Sequence, residues 1–336
     1  MTAFPGSSAE SGSALPGGVG AGRYAPSPTG ELHLGNLRTA LLAWLFARST
    51  GRRFLLRIED LDAARVRPGM AEQQLADLTA LGVTYDAEPV VQSERLAAYQ
   101  DAVKVLAPAT YECFCSRREI AEAASAPHDI PAQYSGGQIA GAHSSGARYP
   151  GTCRNLTAAE RASRRMTRQP ALRLRADGAR QTIVDLLHGE ITAEVDDVVL
   201  RRNDGVPAYN LAAVVDDAFS GVDQVVRGED LLSVAATQAY LAGLLGAHPP
   251  SYAHVPLALN AAGRRLAKRD GAVTLTELAG EGLAPRAVLG LIAESLLLAA
   301  PGESVTLDVL LERFDPDRLP RTPWVVIPFR QLRSGT

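Results

Sequence analysis

Cysteine is scarce in this sequence: there are three, at positions 113, 115 and 153, and three cannot all pair with one another. That argues against a secreted disulfide framework and suits a reducing compartment, with thiolate metal binding as the other use. Long apolar runs are missing too, and none approaches the ~20 residues that a membrane helix requires. The first 22 residues are dominated by Gly, Ser, Ala and Pro. They lack the basic start and apolar centre of a signal peptide, so 1–22 reads as a disordered tail and the protein as cytoplasmic, with no membrane partner. Nor is there an excess of positive charge, since 34 basic residues face 37 acidic ones for a formal charge of -3. This excludes a protein held on nucleic acid mainly by non-specific attraction, and it leaves room for a local basic face. No internal repeat is present.

What remains is 336 residues, 46% of them apolar. That is enough for a full core in one large α/β body carrying an insertion. Residues 23–30 (RYAPSPTG) form a turn-rich segment in which two prolines fix φ. A helix is expected over 36–49, with Leu37, Leu41 and Leu45 on one face and Gly51 as its stop. Residues 53–58 (RFLLRI) read as a buried strand with Glu59, Asp60 and Asp62 just past its carboxyl end, where open α/β sheets bind ligands. Helices follow at about 69–81 and 93–106.

The texture changes over 110–190, which is assigned as an insertion. It holds the three cysteines, a Ser/Gly/Ala/His-rich loop at 125–148, and capping boxes at Ser116/Glu119 and Thr157/Glu160. Strand-like alternation returns at 171–175, 181–187 and 191–200. The α/β texture resumes with strands at 209–215 and 222–227, then a helix at 229–245. The last 70 residues read as mainly helical, with Pro285 suited to a first helical position.

Three constellations carry chemistry. His33-Leu34-Gly35-Asn36 sits where a turn enters a helix, so free backbone N–H groups and the positive dipole end favour phosphate. Gly35 lets a flat purine lie against the backbone, and His33 can donate to charge developing on a phosphate. Taken alone, this stretch is better explained as an ordinary helix start with a surface histidine. Gly263 to Gly271 brackets a basic run containing Lys268. It suits a loop closing over a polyphosphate, but taken alone it reads better as a solvated charged turn. Cys113-Phe114-Cys115 with Cys153 downstream can hold tetrahedral zinc if a fourth ligand arrives. Spacing alone suggests His or water for that ligand, and three buried or surface thiols are the alternative. After Cys153, five arginines at 154, 161, 164, 165 and 168 face one acid, Glu160. Such a run is either a solvated helix face or an RNA-contact surface.

The ordered set of RYAPSPTG, HLGN, Arg57-Ile58-Glu59-Asp60-Leu61-Asp62, residues 200–212, residues 225–231 and the 263–271 loop resembles the class I aminoacyl-tRNA synthetases. The glutamyl group is the nearest in pattern, over about 23–300. The resemblance implies a Rossmann-like parallel sheet, with 23–109 and 191–260 as its two halves. It also implies a zinc-bearing insertion at 110–190 and an ATP loop with a short helical part at 261–336. It further implies that His33 and Lys268 are catalytic, and that His33, Gly35, Asn36 and Lys268 bind ATP with Mg²⁺. Arg23, Ala25, Ser27, Glu59, Tyr209 and Arg227 would bind glutamate. Arg23 would hold the side-chain carboxylate, in the bidentate geometry that guanidinium suits, and Glu59 the ammonium. The family's usual serine before the lysine is Ala267 here, which removes one hydroxyl contact.

Only 65 residues follow position 271, too few for an anticodon-binding domain. That points to the short tRNA-modifying branch of the family, which attaches glutamate to the queuosine of tRNA(Asp). The same branch has C-x-C followed by Y-x-x-x-C, which implies zinc held by Cys113, Cys115, Tyr149 and Cys153. The 33 residues between Cys115 and Tyr149 are more than is usual there, but loop length costs only about 0.6 kcal/mol per doubling. A monomer is expected. Charging of the 3' end of tRNA(Glu), adenylation for a non-tRNA acceptor, and a silent tRNA-binding paralogue remain as alternatives.

Overall fold

Two short parallel strands with a helix between them set the frame: β1 (Ala21–Tyr24), α1 (Leu34–Ser49) and β2 (Arg53–Ile58). The computed structural model describes residues 20–116, 118–120, 148–266 and 273–326. Helix α1 is buried nearly all round, with Leu37, Leu41, Leu45 and the alanines between them in the main core. Such a helix has no polar face to give to water and must lie inside. Thr50 caps it, and Gly51 takes φ +70°, the left-handed stop that glycine allows without strain.

The chain continues through α2 (Met70–Ala80), β3 (Val90–Val91), α3 (Leu96–Val105), β4 (Thr110–Cys113) and α4 (Ala158–Arg165). Next come β5 (Ala171–Leu174), β6 (Arg180–Asp185), β7 (Gly189–Glu194), β8 (Val199–Arg201) and α5 (Tyr209–Phe219). Strand β9 (Val222–Gly228), helix α6 (Leu232–Leu244) and strand β10 (Ser251–Val255) complete the second half. Beyond them lie the short β11 (Ala258–Leu259), α7 (Leu275–Gly280), α8 (Pro285–Ser295), α9 (Leu307–Arg313) and β12 (Trp324–Val325).

Seven strands form the main sheet in the order β3-β2-β1-β9-β10-β6-β7. Every pairing is parallel except β6 with β7. The order turns between β1 and β9, so the chain runs outward from that point in both directions, and the crevice for a ligand lies outside the strand ends there.

Three features differ from the sequence reading. Residues 209–215, expected as a strand, form the first two turns of α5. Val214 and Val215 suggested a strand, but Leu211, Ala212 and Val215 are buried in the cluster that includes α3 and α6; tertiary packing outweighs weak local propensity. Strand β6 lies in the block read as an insertion, yet it extends the main sheet through β10, while β8 joins β4 and β5 in a separate antiparallel sheet. Ala21 and Gly22, expected in the tail, already pair with β2.

Candidate active site

The carboxyl ends of β1, β2 and β9 open on a cavity of about 850 Å³. Its wall includes Arg23, Ala25, Ser27, His33, Gly35, Asn36, Glu59, Tyr209 and Arg227. All the site residues expected from the sequence for glutamate and ATP are therefore together, save Lys268. Lys268 and Ala267 lie outside the described residues. On one side of that segment Arg265 lines the cavity, and on the other the Val273 carbonyl accepts from Leu34 N–H at 2.8 Å.

His33 is the N-cap of α1. Its Nδ1 accepts from Asn36 N–H at 3.2 Å, while Asn36 Oδ1 accepts from His33 N–H at 3.3 Å. An imidazole accepting at Nδ1 carries its proton on Nε2 when neutral, which makes Nε2 the donor. Gly35 is required by space: a Cβ there would stand 2.9 Å from Ala258 Cβ and 3.1 Å from the His33 ring. The 25–30 loop is pinned from α2 by buried Gln74, whose amide donates to the carbonyls of Ser27 and Gly30 at 3.0 and 2.6 Å.

Behind the cavity lies a buried charge network that the sequence did not disclose. Arg23 donates from Nε and Nη2 to Asp217 at 3.2 and 3.3 Å. Arg57 also donates to Asp217, and to Glu59 at 2.9 Å. Asp216 is held by Gln92, Arg95 and Tyr99. Burial alone would raise the Asp217 pKa, but the guanidiniums of Arg23 and Arg57 hold it at about 2. Burial works against the Arg57 charge as well, and Asp217, Glu59 and Asp216 overcome it and raise its pKa above the ordinary range. The available signals were an arginine inside an apolar strand and paired aspartates inside an apolar helix, since such groups are almost never buried unless paired.

Arg227, on β9, donates to Gln238 at 2.6 Å, to His254 Nε2 at 3.0 Å, to the Leu231 carbonyl at 3.3 Å and to the Tyr209 hydroxyl at 3.5 Å. Arg23, Arg227 and Glu59 thus bring two cations and one anion to the cavity from three different strand ends.

A second cavity of about 650 Å³ shares Ser27, Glu59, Arg65 and Tyr209 with the first and runs to Cys113 and Cys115. There the three thiol sulfurs lie within 4.8 Å of one another. Cys115 Sγ is 3.5 Å from Cys153 Sγ, and the Tyr149 hydroxyl is 3.4 Å from Cys113 Sγ and 3.6 Å from Cys115 Sγ. Zinc–sulfur bonds of about 2.3 Å at tetrahedral angles give sulfur separations near 3.8 Å, so this donor set fits zinc with little movement. The hydrogen bond from Cys153, with help from Tyr149, draws the Cys113 pKa well below the ordinary thiol value against the effect of burial. Arg173 covers the Tyr149 ring at 3.8 Å.

Both capping boxes form as expected. The basic stretch is more committed to the protein than its sequence suggested. Arg154 binds Asp197, Arg161 the Leu156 carbonyl, Arg164 the Cys153 sulfur, Arg165 Glu112, and Arg168 Glu119. No described helix is long and apolar enough to cross a membrane.

Comparison with known proteins agrees with this geometry. The family model for the catalytic domain of class I tRNA synthetases (E and Q) matches residues 21–325. A glutamyl-Q tRNA(Asp) synthetase of Nocardia farcinica is 58% identical over 312 residues, covering 91% of this chain and 93% of that protein. One from Cutibacterium acnes is 52% identical over 82% of this chain and 76% of its own length. Among solved structures, the glutamate-tRNA synthetase of Elizabethkingia anophelis superposes with a TM-score of 0.74 at 27% identity, over 91% of this chain and 68% of that one. By sequence and by fold, the chain belongs to the class I tRNA synthetases for E and Q, through their catalytic domain.

Proposed function

We propose that this protein activates L-glutamate with ATP and transfers it to the queuosine of tRNA(Asp), as the names of its relatives suggest. The observation that carries the proposal is the convergence of Arg23, Arg227 and Glu59 with the start of α1 on one cavity at the switch point of the sheet. Two guanidiniums answer the two carboxylates of glutamate, and Glu59 answers its ammonium. ATP lies across His33, Gly35 and Asn36, with its phosphates toward the helix N-terminus. The glutamate α-carboxylate attacks the α-phosphorus, pyrophosphate leaves, and glutamyl-adenylate forms. His33 Nε2, Lys268 and the amides of α1 stabilise the charge that develops, Mg²⁺ arriving with the nucleotide would offset more of it, and no side-chain nucleophile takes part. A hydroxyl of the queuosine cyclopentene diol then attacks the mixed anhydride and releases AMP.

The adjoining cavity between Tyr209 and the cysteine cluster gives the acceptor nucleoside a way in. Cys113, Cys115, Tyr149 and Cys153 would hold zinc there, and the metal would tie Cys115 and Tyr149, on either side of residues 116–148, to the end of β4. Labelled glutamate offered to bulk tRNA from queuosine-containing cells, and from cells unable to make queuosine, tests the reaction. Label in the first pool alone supports it. Equal labelling of both means 3'-end charging, and label in neither, despite glutamate-dependent pyrophosphate exchange, means a different acceptor.

A further inference from the structure

Arg227 and Arg23 face the same cavity, but they are held in different ways. Arg23 spends two donors directly on a carboxylate. Among the described residues Arg227 has no carboxylate against it; an imidazole stands between it and one. His254, on β10 and fully buried, receives the Arg227 Nε–H on Nε2 at 3.0 Å, and its Nδ1 is 2.6 Å from Asp185 Oδ2. Asp185, at the end of β6, also accepts from the backbone N–H groups of Leu187, His188 and His254. An acceptor so thoroughly supplied with donors stays ionised, which places the ring proton on Nδ1 and the lone pair on Nε2.

We propose that Asp185 and His254 are positioning residues which fix Arg227 for glutamate while keeping its charge available to the cavity. A guanidinium has five N–H donors. His254, Gln238, Tyr209 and the Leu231 carbonyl take four of those on Arg227, and one on Nη2 is left for a ligand. Were Asp185 paired directly with Arg227, it would neutralise the cation and occupy two adjacent donors in a fork. The imidazole between them supplies one directional contact and keeps the anion a ring's width away.

The arrangement works only with a neutral ring, because a proton on Nε2 would set N–H against N–H. The groups around the ring favour neutrality on balance. Burial lowers the His254 pKa and the Arg227 charge adds to that, as does His188 from the turn after β6; Asp185 opposes them. Tyr252, from the same strand, stacks on the ring at 5.7 Å. The device also explains why β6 extends the main sheet: Leu186 N–H donates to the Tyr252 carbonyl at 2.7 Å, which locks the Asp185 end of β6 beside His254.

The proposal rests on Arg227 being a glutamate ligand, and two variants of His254 separate the ideas. In His254→Gln the side-chain oxygen takes the place of Nε2, four bonds from Cα, so the acceptor for Arg227 remains. In His254→Asn the amide reaches only the place of Nδ1, so that acceptor is lost. Glutamate-dependent pyrophosphate exchange on the full chain, with melting temperatures to confirm folding, gives KM for each substrate. Losing one hydrogen bond to a charged group is worth roughly a ten- to hundredfold change. His254→Asn should raise the glutamate KM by at least about tenfold and leave the ATP KM unchanged, with His254→Gln recovering most of the loss. Nitrogen-15 NMR of the unmutated protein should show Nδ1 protonated and Nε2 bare, and should still do so below the ordinary histidine pKa. Equal effects of the two variants, or a proton on Nε2, overturn the proposal. Arg227→Gln distinguishes the underlying reading. If it leaves the glutamate KM unchanged, Arg227 does not bind glutamate; if it raises KM while His254→Asn does not, only the positioning role fails.

Discussion

Neutralising Asp217 is the perturbation whose size the structure sets most directly. Its carboxylate lies between Arg23 and Arg57, with 12% of the side chain exposed. The two guanidiniums overcome the effect of burial and hold its pKa at about 2, against an ordinary 3.8. At about 1.36 kcal/mol per pH unit, that interval is worth roughly 2 kcal/mol of folding stability. The sign follows from the direction: the folded carboxyl is the stronger acid, so the stabilisation is complete above the unfolded pKa and is lost as pH falls from 3.8 toward 2. Asp217→Asn removes the charge at every pH and leaves two buried cations facing each other. The loss at pH 7 is therefore expected between about 2 kcal/mol and the roughly 3–5 kcal/mol that follows when a buried pair is broken. Urea titrations at a series of pH values measure it: the midpoint should fall at pH 7 with an unchanged slope, and the gap to the unmutated protein should narrow below pH about 4. Glutamate affinity should fall as well, since Arg23 loses the acceptor that aims it. A variant within about 0.5 kcal/mol of the unmutated protein at pH 7, or a gap that stays constant into acid, refutes the reasoning.

Gly35→Ala forces a Cβ against Ala258 and the His33 ring. A stability loss of about 1–3 kcal/mol is expected, together with a raised KM for ATP; an unchanged melting curve and KM would show that the close approach is not needed. Purified protein should carry about one zinc per chain, and Cys153→Ala should release it. Metal analysis that finds none in the unmutated protein rules out the zinc site. Lys268→Ala should cut adenylate formation by orders of magnitude, on the order of what removing other preorganised charge-stabilising groups costs, while the circular dichroism spectrum stays the same. Near-normal pyrophosphate exchange would remove Lys268 from the mechanism.

Local chemistry fixed much of this protein in advance. The end of α1 at Ser49, the strand at 53–58, the capping boxes and the stop at Gly51 depend on neighbours a few residues apart, and each forms as the sequence implies. Motif order was enough to bring Arg23, His33, Glu59, Tyr209 and Arg227 to one cavity, because strand ends in a parallel sheet converge wherever the order turns. What the sequence left open involves partners far apart in the chain. Asp217 meets Arg23 from 194 residues away, and Asp185 meets His254 from 69. No periodicity encodes such pairs, because each ion looks like a surface charge until packing excludes water from it. Residues 209–215 read as a strand from sequence for the same reason: only burial against α3 and α6 settles whether two valines belong to a strand or a helix. Sequence determined which groups would line the site, and tertiary structure decided which buried counter-charges hold them in place.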